Sequence, residues 1–504
     1  MCRRTASWPA TLPVWLRRSK MRRLRGSSAD ALLLTFAKLV TVMLGLAVTR
    51  LLSQNLSKHD YGTYSQVLLI VSTVSSMTIL GMADGVNYFH CSRQGDERES
   101  YLSTIYCLQC MISTLAGAAV MLLAVPLCKY FGNADIKRLL IYGATIPLFQ
   151  NLLSITQVLL VSVGKARLLA VRNLTVSLVR LASVIVVITV AKDVAVVLAT
   201  TLAMDLAQML LFVLVLWKNG CALRPKRVDF KLFGTIFAYC APMAVYTLLN
   251  TLSRDCDKYL ISLMTDTETL AMYANASKVL PFDVITASFV TVLLPRITRH
   301  IANGEREQTV GLYRTFLEIT YISTTILCCA VLASSPQVMQ LLYSKKYLDG
   351  IRIFCIYVLV DLLRFTNITL ILSAAGKTKR LMYYSVATLA ANAAANILLY
   401  WLLGVIGPAV ATLLTSLGFG LCLMRTSAKE LDSPLRGFFD LKHLVGFMSL
   451  NALLTVGFYL LQRWLGTMNV SYLAILAITA GGYVAVAGLC SAKRFLRALK
   501  QVDT

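Results

Sequence analysis

Charge is scarce in this chain. Asp, Glu, Lys and Arg make up only 14% of its 504 residues, about half the share in an ordinary soluble protein. Polar linkers are missing too, and no loop between apolar runs exceeds about 20 residues. That leaves no room for a soluble catalytic domain with convergent acid, base or metal ligands. Histidine is limited to His59, His90, His300 and His443, too scattered for a metal centre. A phosphate-binding loop is also excluded. The stretch SAAGKTKR (373–380) contains GKT, but Ile371 stands where G-x-x-x-x-G-K-[ST] requires its first glycine. No enzyme activity and no cofactor are implied.

Apolar sequence is abundant: 57% of residues are hydrophobic and the mean hydropathy is +0.68. Runs of about 20 apolar residues, each long enough to cross a bilayer, follow one another from Ala31 to Cys490. The pattern predicts an all-α polytopic membrane protein of fourteen transmembrane helices. They are placed at 31–53, 64–89, 102–128, 139–162, 170–190, 194–216, 236–263, 270–295, 315–342, 353–374, 381–402, 405–424, 443–462 and 470–490.

The formal charge of +25 follows that topology. With the N-terminus inside, 33 of the 49 Lys and Arg fall on the inner side and 9 on the outer, Arg172 being counted with the turn before its span. This is the positive-inside bias with both termini cytoplasmic. It argues for contact with anionic membrane lipids and against nucleic acid. The thirteen cysteines read as small apolar residues; Cys107-Leu-Gln-Cys110 has metal-ligand spacing but no second pair. The basic N-terminal tail lacks the apolar core and cleavage site of a signal peptide.

The sequence repeats itself. VSVGKAR (161–167) matches SAAGKTK (373–379), Leu198-Ala199-Thr200 falls on Val410-Ala411-Thr412, and YGTYSQ (61–66) falls on LAMYAN (270–275), at offsets of 212, 212 and 209. The first six spans are therefore read as duplicated in spans seven to twelve, with the same orientation because six is even. SAAGKTKR becomes a cytoplasmic turn with a twin. The expected units are a basic cytoplasmic tail (1–30), a six-helix lobe (31–217), a cytoplasmic linker (218–235), a second six-helix lobe (236–425), a cytoplasmic loop (426–442), two added helices (443–490) and a basic tail (491–504).

Four segments carry a family resemblance: TRLLSQNLSKHDYGTYSQ (49–66), DKYLISLMTDTETLAMYANASKV (257–279), LSAAGKTKR (372–380) and NAAANILLYWLLGVIGPAVATLLT (392–415). Together they resemble the lipid-linked oligosaccharide flippases of the polysaccharide transporter family, which includes O-antigen flippases. The wider superfamily contains multidrug extruders and peptidoglycan-precursor flippases. The family's usual proline before G-x-x-G is replaced by Leu402-Leu403. The resemblance implies a flippase of the inner (cytoplasmic) membrane, moving a polyprenyl-diphosphate oligosaccharide by alternating access. Lipopolysaccharide or exopolysaccharide assembly would be its setting, with a polysaccharide polymerase and chain-length machinery as partners. A cation or multidrug extruder on the same fold is the competing reading.

Charges inside spans are costly and mark cavities or partners. The candidate substrate-binding cations are Lys38, Arg180, Arg254, Lys258, Lys278 and Arg364. Arg254 and Lys258 share a helical face, although RDCDK (254–258) also reads as an interfacial loop ending the seventh span early. Asp361 and Arg364 read equally as an ion pair. Lys278 and Asp283 flank Pro281, a candidate helix break. Lys38 and Arg50 are placed to snorkel. Asp257, Asp283 and Asp361 are the candidates for coupling to an ion gradient.

Overall fold

The computed structural model describes residue 37 and residues 40–503, apart from Gly164, residues 219–223, Val279, Pro281, Asn367, Gly376 and Asn469. Among those residues every regular element is helical. The first half comprises α1 (40–55), α2 (Lys58–Thr78), α3 (Met82–Ser92), α4 (Gly95–Leu122), α5 (Ala124–Phe131), α6 (Ile136–Gly143), α7 (Ile146–Ser162), α8 (Ala166–Val190) and α9 (Val194–Lys218). The second comprises α10 (Phe233–Met264), α11 (Thr267–Ala276), α12 (Asp283–Ala302), α13 (Arg306–Ala333), α14 (Ser335–Leu342), α15 (Ile351–Leu363), α16 (Leu370–Ala374), α17 (Thr378–Leu403) and α18 (Gly407–Glu430). After the short α19 (Leu435–Phe438) come α20 (Leu441–Thr467), α21 (Tyr472–Leu476) and α22 (Gly482–Asp503).

The duplication is visible in where helices start and stop. α4 and α13 are both 28 residues long, α5 and α14 both 8, and α8 and α17 are 25 and 26. The twin turns close on equivalent bonds: Lys165 N donates to the Leu160 carbonyl at 2.9 Å, and Lys377 N to that of Leu372 at 2.8 Å. These six-to-one bonds satisfy carbonyls left open at a helix end. Gly164 and Gly376 lie outside the described residues.

Ten described helical segments are long and apolar enough to cross a membrane, one of them holding both α17 and α18. Spans one, seven and eight are not in that set. α1 is described only from residue 40, α10 carries RDCDK, and the eighth span is broken between α11 and α12. α10 runs unbroken through RDCDK, so the reading of that cluster as a loop is corrected. The four charges at 254, 255, 257 and 258 fall within about half of the helix circumference, which leaves the opposite face apolar.

The apolar cores show how the halves meet. One core joins them, packing Leu52, Tyr61 and Val67 of the first half with Ile261, Tyr273 and Phe354 of the second. Further along the helices the core divides. Met82, Ile105, Leu159 and Phe212 of the first half pack with Ile236 and Cys240 at the start of α10, whereas Leu293, Phe316, Ile371 and Met424 pack within the second half. The halves thus share one core at the end assigned to the outer side, and toward the other end they have distinct cores joined where the start of α10 packs on the first half. The fusion needs close backbone approach. A Cβ on Gly62 would lie 2.2 Å from the Thr267 carbonyl oxygen, so only glycine fits where α2 meets α11.

At the other end α22 continues to Asp503, beyond the predicted 470–490 span. Phe495, Ala498 and Leu499 pack into the second core, and Arg494 pairs with Glu318 and, at 3.2 Å, with Asp440. Arg50 is also differently employed from a snorkelling side chain. It donates to the Leu341 carbonyl at 2.6 Å and to Tyr472 Oη at 3.2 Å. Helices α14 and α21 thus supply acceptors for its guanidinium from within the protein.

Candidate functional site

A cavity of about 1110 Å³ opens between α2, α10, α11, α12, α15, α17 and α18. This exceeds the usual volume of a drug-sized site, roughly 300–1000 Å³. Arg254, Lys258, Lys278 and Arg364 all line it, and Asp255 is the one carboxylate among its described lining residues. Cations therefore dominate the surface that faces the cavity, with Asp257 and Asp361 buried behind them. The local fold explains the convergence. α10 presents Arg254 and Lys258 one turn apart, the break after α11 delivers Lys278, and the 3-10 turn ending α15 carries Arg364.

The cations differ in how far their charge is already used. Lys258 Nζ lies 3.0 Å from Asp255 Oδ1 and 3.7 Å from Asp257 Oδ1. Arg254 reaches the same Asp255 at 3.4 Å but is 60% exposed. Arg364 Nε donates to Asp361 at 2.9 Å. Lys278 is different. Among the described residues its ammonium bonds the neutral Thr49 hydroxyl at 2.7 Å, and it opens to the cavity deep inside the molecule. Arg180, on α8, lies within electrostatic reach of Lys278, so a second positive charge approaches from the other half.

Two of the three candidate coupling carboxylates, Asp257 and Asp361, sit behind this wall. Asp361 is 3% exposed and accepts the Leu280 N–H at 3.2 Å, a donor freed by the break between α11 and α12. Asp257 is 2% exposed; it accepts from Tyr273 Oη at 3.1 Å, from Tyr357 Oη, and from Lys258 N at 2.8 Å. Both carboxylates hold separate helices together, since burying a charge requires partners. Lys38, Pro281 and the side chain of Asp283 lie outside the described residues.

Direct hydrogen bonds across the halves flank the cavity at its fused end. Tyr61 Oη donates to Asn275 Oδ1 at 2.7 Å, and Gln66 Nε2 donates to Ser262 Oγ at 3.3 Å. Ser72 Oγ reaches Asp255 at 3.5 Å, and Thr73 bonds the Tyr259 hydroxyl. Sequence reasoning missed these neutral contacts because hydroxyls and amides carry no positional signal until the helices are packed. It also missed a cluster in the first half. Arg172 bonds Gln208, which donates to Asp205 at 3.3 Å, and the guanidinium stacks 5.0 Å over Phe212. Arg172 belongs to α8 rather than to the turn before it.

A protein-family model described as polysaccharide biosynthesis protein matches residues 47–352. No curated protein matches the chain significantly. Among solved structures, lipid II flippase MurJ in an inward closed conformation superposes with a TM-score of 0.72 at 15% identity, covering 92% of this chain and 99% of that one. An inward-facing multidrug resistance transporter of the MATE family, in the MOP superfamily, gives 0.65 at 12% identity over 78% of this chain and 96% of that one. A MOP superfamily transporter from Pyrococcus furiosus, described by the reverse polarity of its binding pocket, gives 0.57 at 12% identity over 80% and 94%. The fold is that of membrane transporters and flippases.

Proposed function

The chain belongs to the polysaccharide biosynthesis protein family, and on that footing we propose that it moves a polyprenyl-diphosphate-linked oligosaccharide across the cytoplasmic membrane for surface polysaccharide assembly, O-antigen being one such product. The observation that carries the reading is the cationic wall of one large cavity, with Lys278 holding charge that no described carboxylate neutralises. A diphosphate brings two to three negative charges and suits Arg and Lys donors. The lipid tail stays in the bilayer, and the sugar fills the polar space. Alternating access then needs the six-helix lobes, 31–217 and 236–425, to rock about the cavity. Bonds such as Tyr61–Asn275 must break when the fused end opens. An ion gradient would act through Asp257, Asp283 or Asp361, whose protonation changes how firmly neighbouring helices are held. Both termini face the cytoplasm in this account, and a polymerase receives the cargo on the far side.

A multidrug extruder on this fold is the second reading. Its cationic cargo would meet four like charges and one carboxylate, which disfavours it electrostatically. The test is purified protein in liposomes, offered either a fluorescent polyprenyl-diphosphate oligosaccharide or a cationic dye under a proton or sodium gradient. Protein-dependent movement of the lipid to the opposite leaflet supports the proposal. Movement of the dye alone overturns it.

A further inference from the structure

The internal duplication supplies a control for reading the cavity. In the same cavity as the cations, α17 and α18 present Thr388, Asn392, Thr412, Thr415 and Ser416. At an offset of 212 residues the first copy has Val176, Arg180, Thr200, Ala203 and Met204 in these places. The charged cluster of the first copy has also been replaced: Arg172 and Asp205 correspond to Tyr384 and Leu417. The two copies of one helix pair therefore differ in character. One carries charge, and the other presents a wall of hydroxyls and an amide with no ionisable group among its described cavity-lining residues.

That wall is held in a defined arrangement. Asn396 Nδ2 donates to Asn392 Oδ1 at 2.8 Å, and Asn392 Nδ2 donates to Thr415 Oγ1 at 2.8 Å. Thr415 in turn donates to the Ala411 carbonyl at 2.8 Å. The relay fixes the Asn392 amide and leaves its second Nδ2 hydrogen to donate. Each hydroxyl can donate and accept at once, as a sugar hydroxyl does. These lining groups supply no counter-charge of their own to a charged sugar, whose dehydration against them is costly, and the cations of the cavity are taken up by the diphosphate and by their carboxylate partners.

We infer that the sugar units nearest the diphosphate lie against α17 and α18 and are uncharged. This rests on the lipid-linked oligosaccharide reading above. Hydroxyls of Thr388, Thr412 and Ser416 bond the sugar, while Lys278, Arg254, Lys258 and Arg364 hold the diphosphate.

The experiment compares three probes on the full-length protein in detergent: a bare polyprenyl diphosphate, the same lipid carrying a neutral disaccharide, and the same lipid with a uronic acid as its first sugar. The neutral disaccharide should tighten binding, and the uronic acid should not. Thr388→Val, Thr412→Val and Ser416→Ala remove hydroxyls with little change of volume. Each should cost roughly threefold to tenfold in affinity for the neutral glycolipid while leaving the bare lipid unchanged, which also shows that the variants fold. Equal affinity for the neutral and acidic glycolipids, or full retention in all three variants, overturns the inference alone. No binding of the bare diphosphate to the unaltered protein overturns the transport reading, and the inference with it.

Discussion

Replacing Lys278 by methionine isolates the charge on which the transport account depends. Lys258 and Arg364 are paired with carboxylates, so removing either changes binding and folding together. Lys278 bonds a neutral hydroxyl, and methionine keeps most of its apolar stem. An ammonium about 4 Å from a phosphate oxygen is worth about 1 kcal/mol in water and about 4 kcal/mol at an effective dielectric of 20. The cavity lies between these limits, so about 2 kcal/mol is reasonable. That is roughly a 30-fold loss in affinity for a polyprenyl diphosphate. Titration of the purified variant with that lipid measures it, with thermal unfolding as the control. The variant should unfold within a few degrees of the parent, and Lys278→Arg should recover much of the binding. Unchanged affinity in Lys278→Met would refute the placement of the diphosphate beside this residue.

Lys258→Met should be structurally expensive, because it leaves Asp255 and Asp257 buried without their ammonium partner. Breaking such a pair costs about 3–5 kcal/mol, visible as early thermal unfolding that Asp255→Asn partly reverses. Gly62→Ala drives a Cβ into the Thr267 carbonyl; it should open the fused end, and crosslinking of Tyr61→Cys to Asn275→Cys should fall in that background. Asp266 caps α11 by accepting from Thr269 N at 2.7 Å, and that backbone bond holds its carboxyl below the ordinary aspartate range. A depressed folded value means that this contribution is complete above the unfolded pKa and is lost as pH falls through the folded one. Asp266→Ala should cost about 1 kcal/mol near neutral pH and proportionally less in strong acid, as read from unfolding temperatures across pH.

The fold was legible because bilayer-spanning helices are written in composition, and because duplication leaves matching punctuation such as VSVGKAR and SAAGKTK. Charges were legible for the same reason: in an apolar background, each Arg or Lys stands out. Four of the six proposed cations line one cavity, Arg180 approaches from α8, and Lys38 lies outside the described residues. Partners were not legible. Whether Arg364 meets a carboxylate and Lys278, among the described residues, a hydroxyl depends on helix rotation and on the break between α11 and α12. Arg50 shows the same limit: its depth suggested snorkelling, but α14 and α21 close over it. The neutral wall of α17 and α18 becomes distinctive only when one copy is laid over the other.

The most direct test of the central claim is leaflet-resolved labelling of lipid-linked glycans in cells with and without this protein. The account predicts that its loss traps a complete lipid-linked repeat unit on the cytoplasmic side and that restoring the protein clears it. Unchanged glycolipid distribution, together with new sensitivity to cationic dyes, would contradict it.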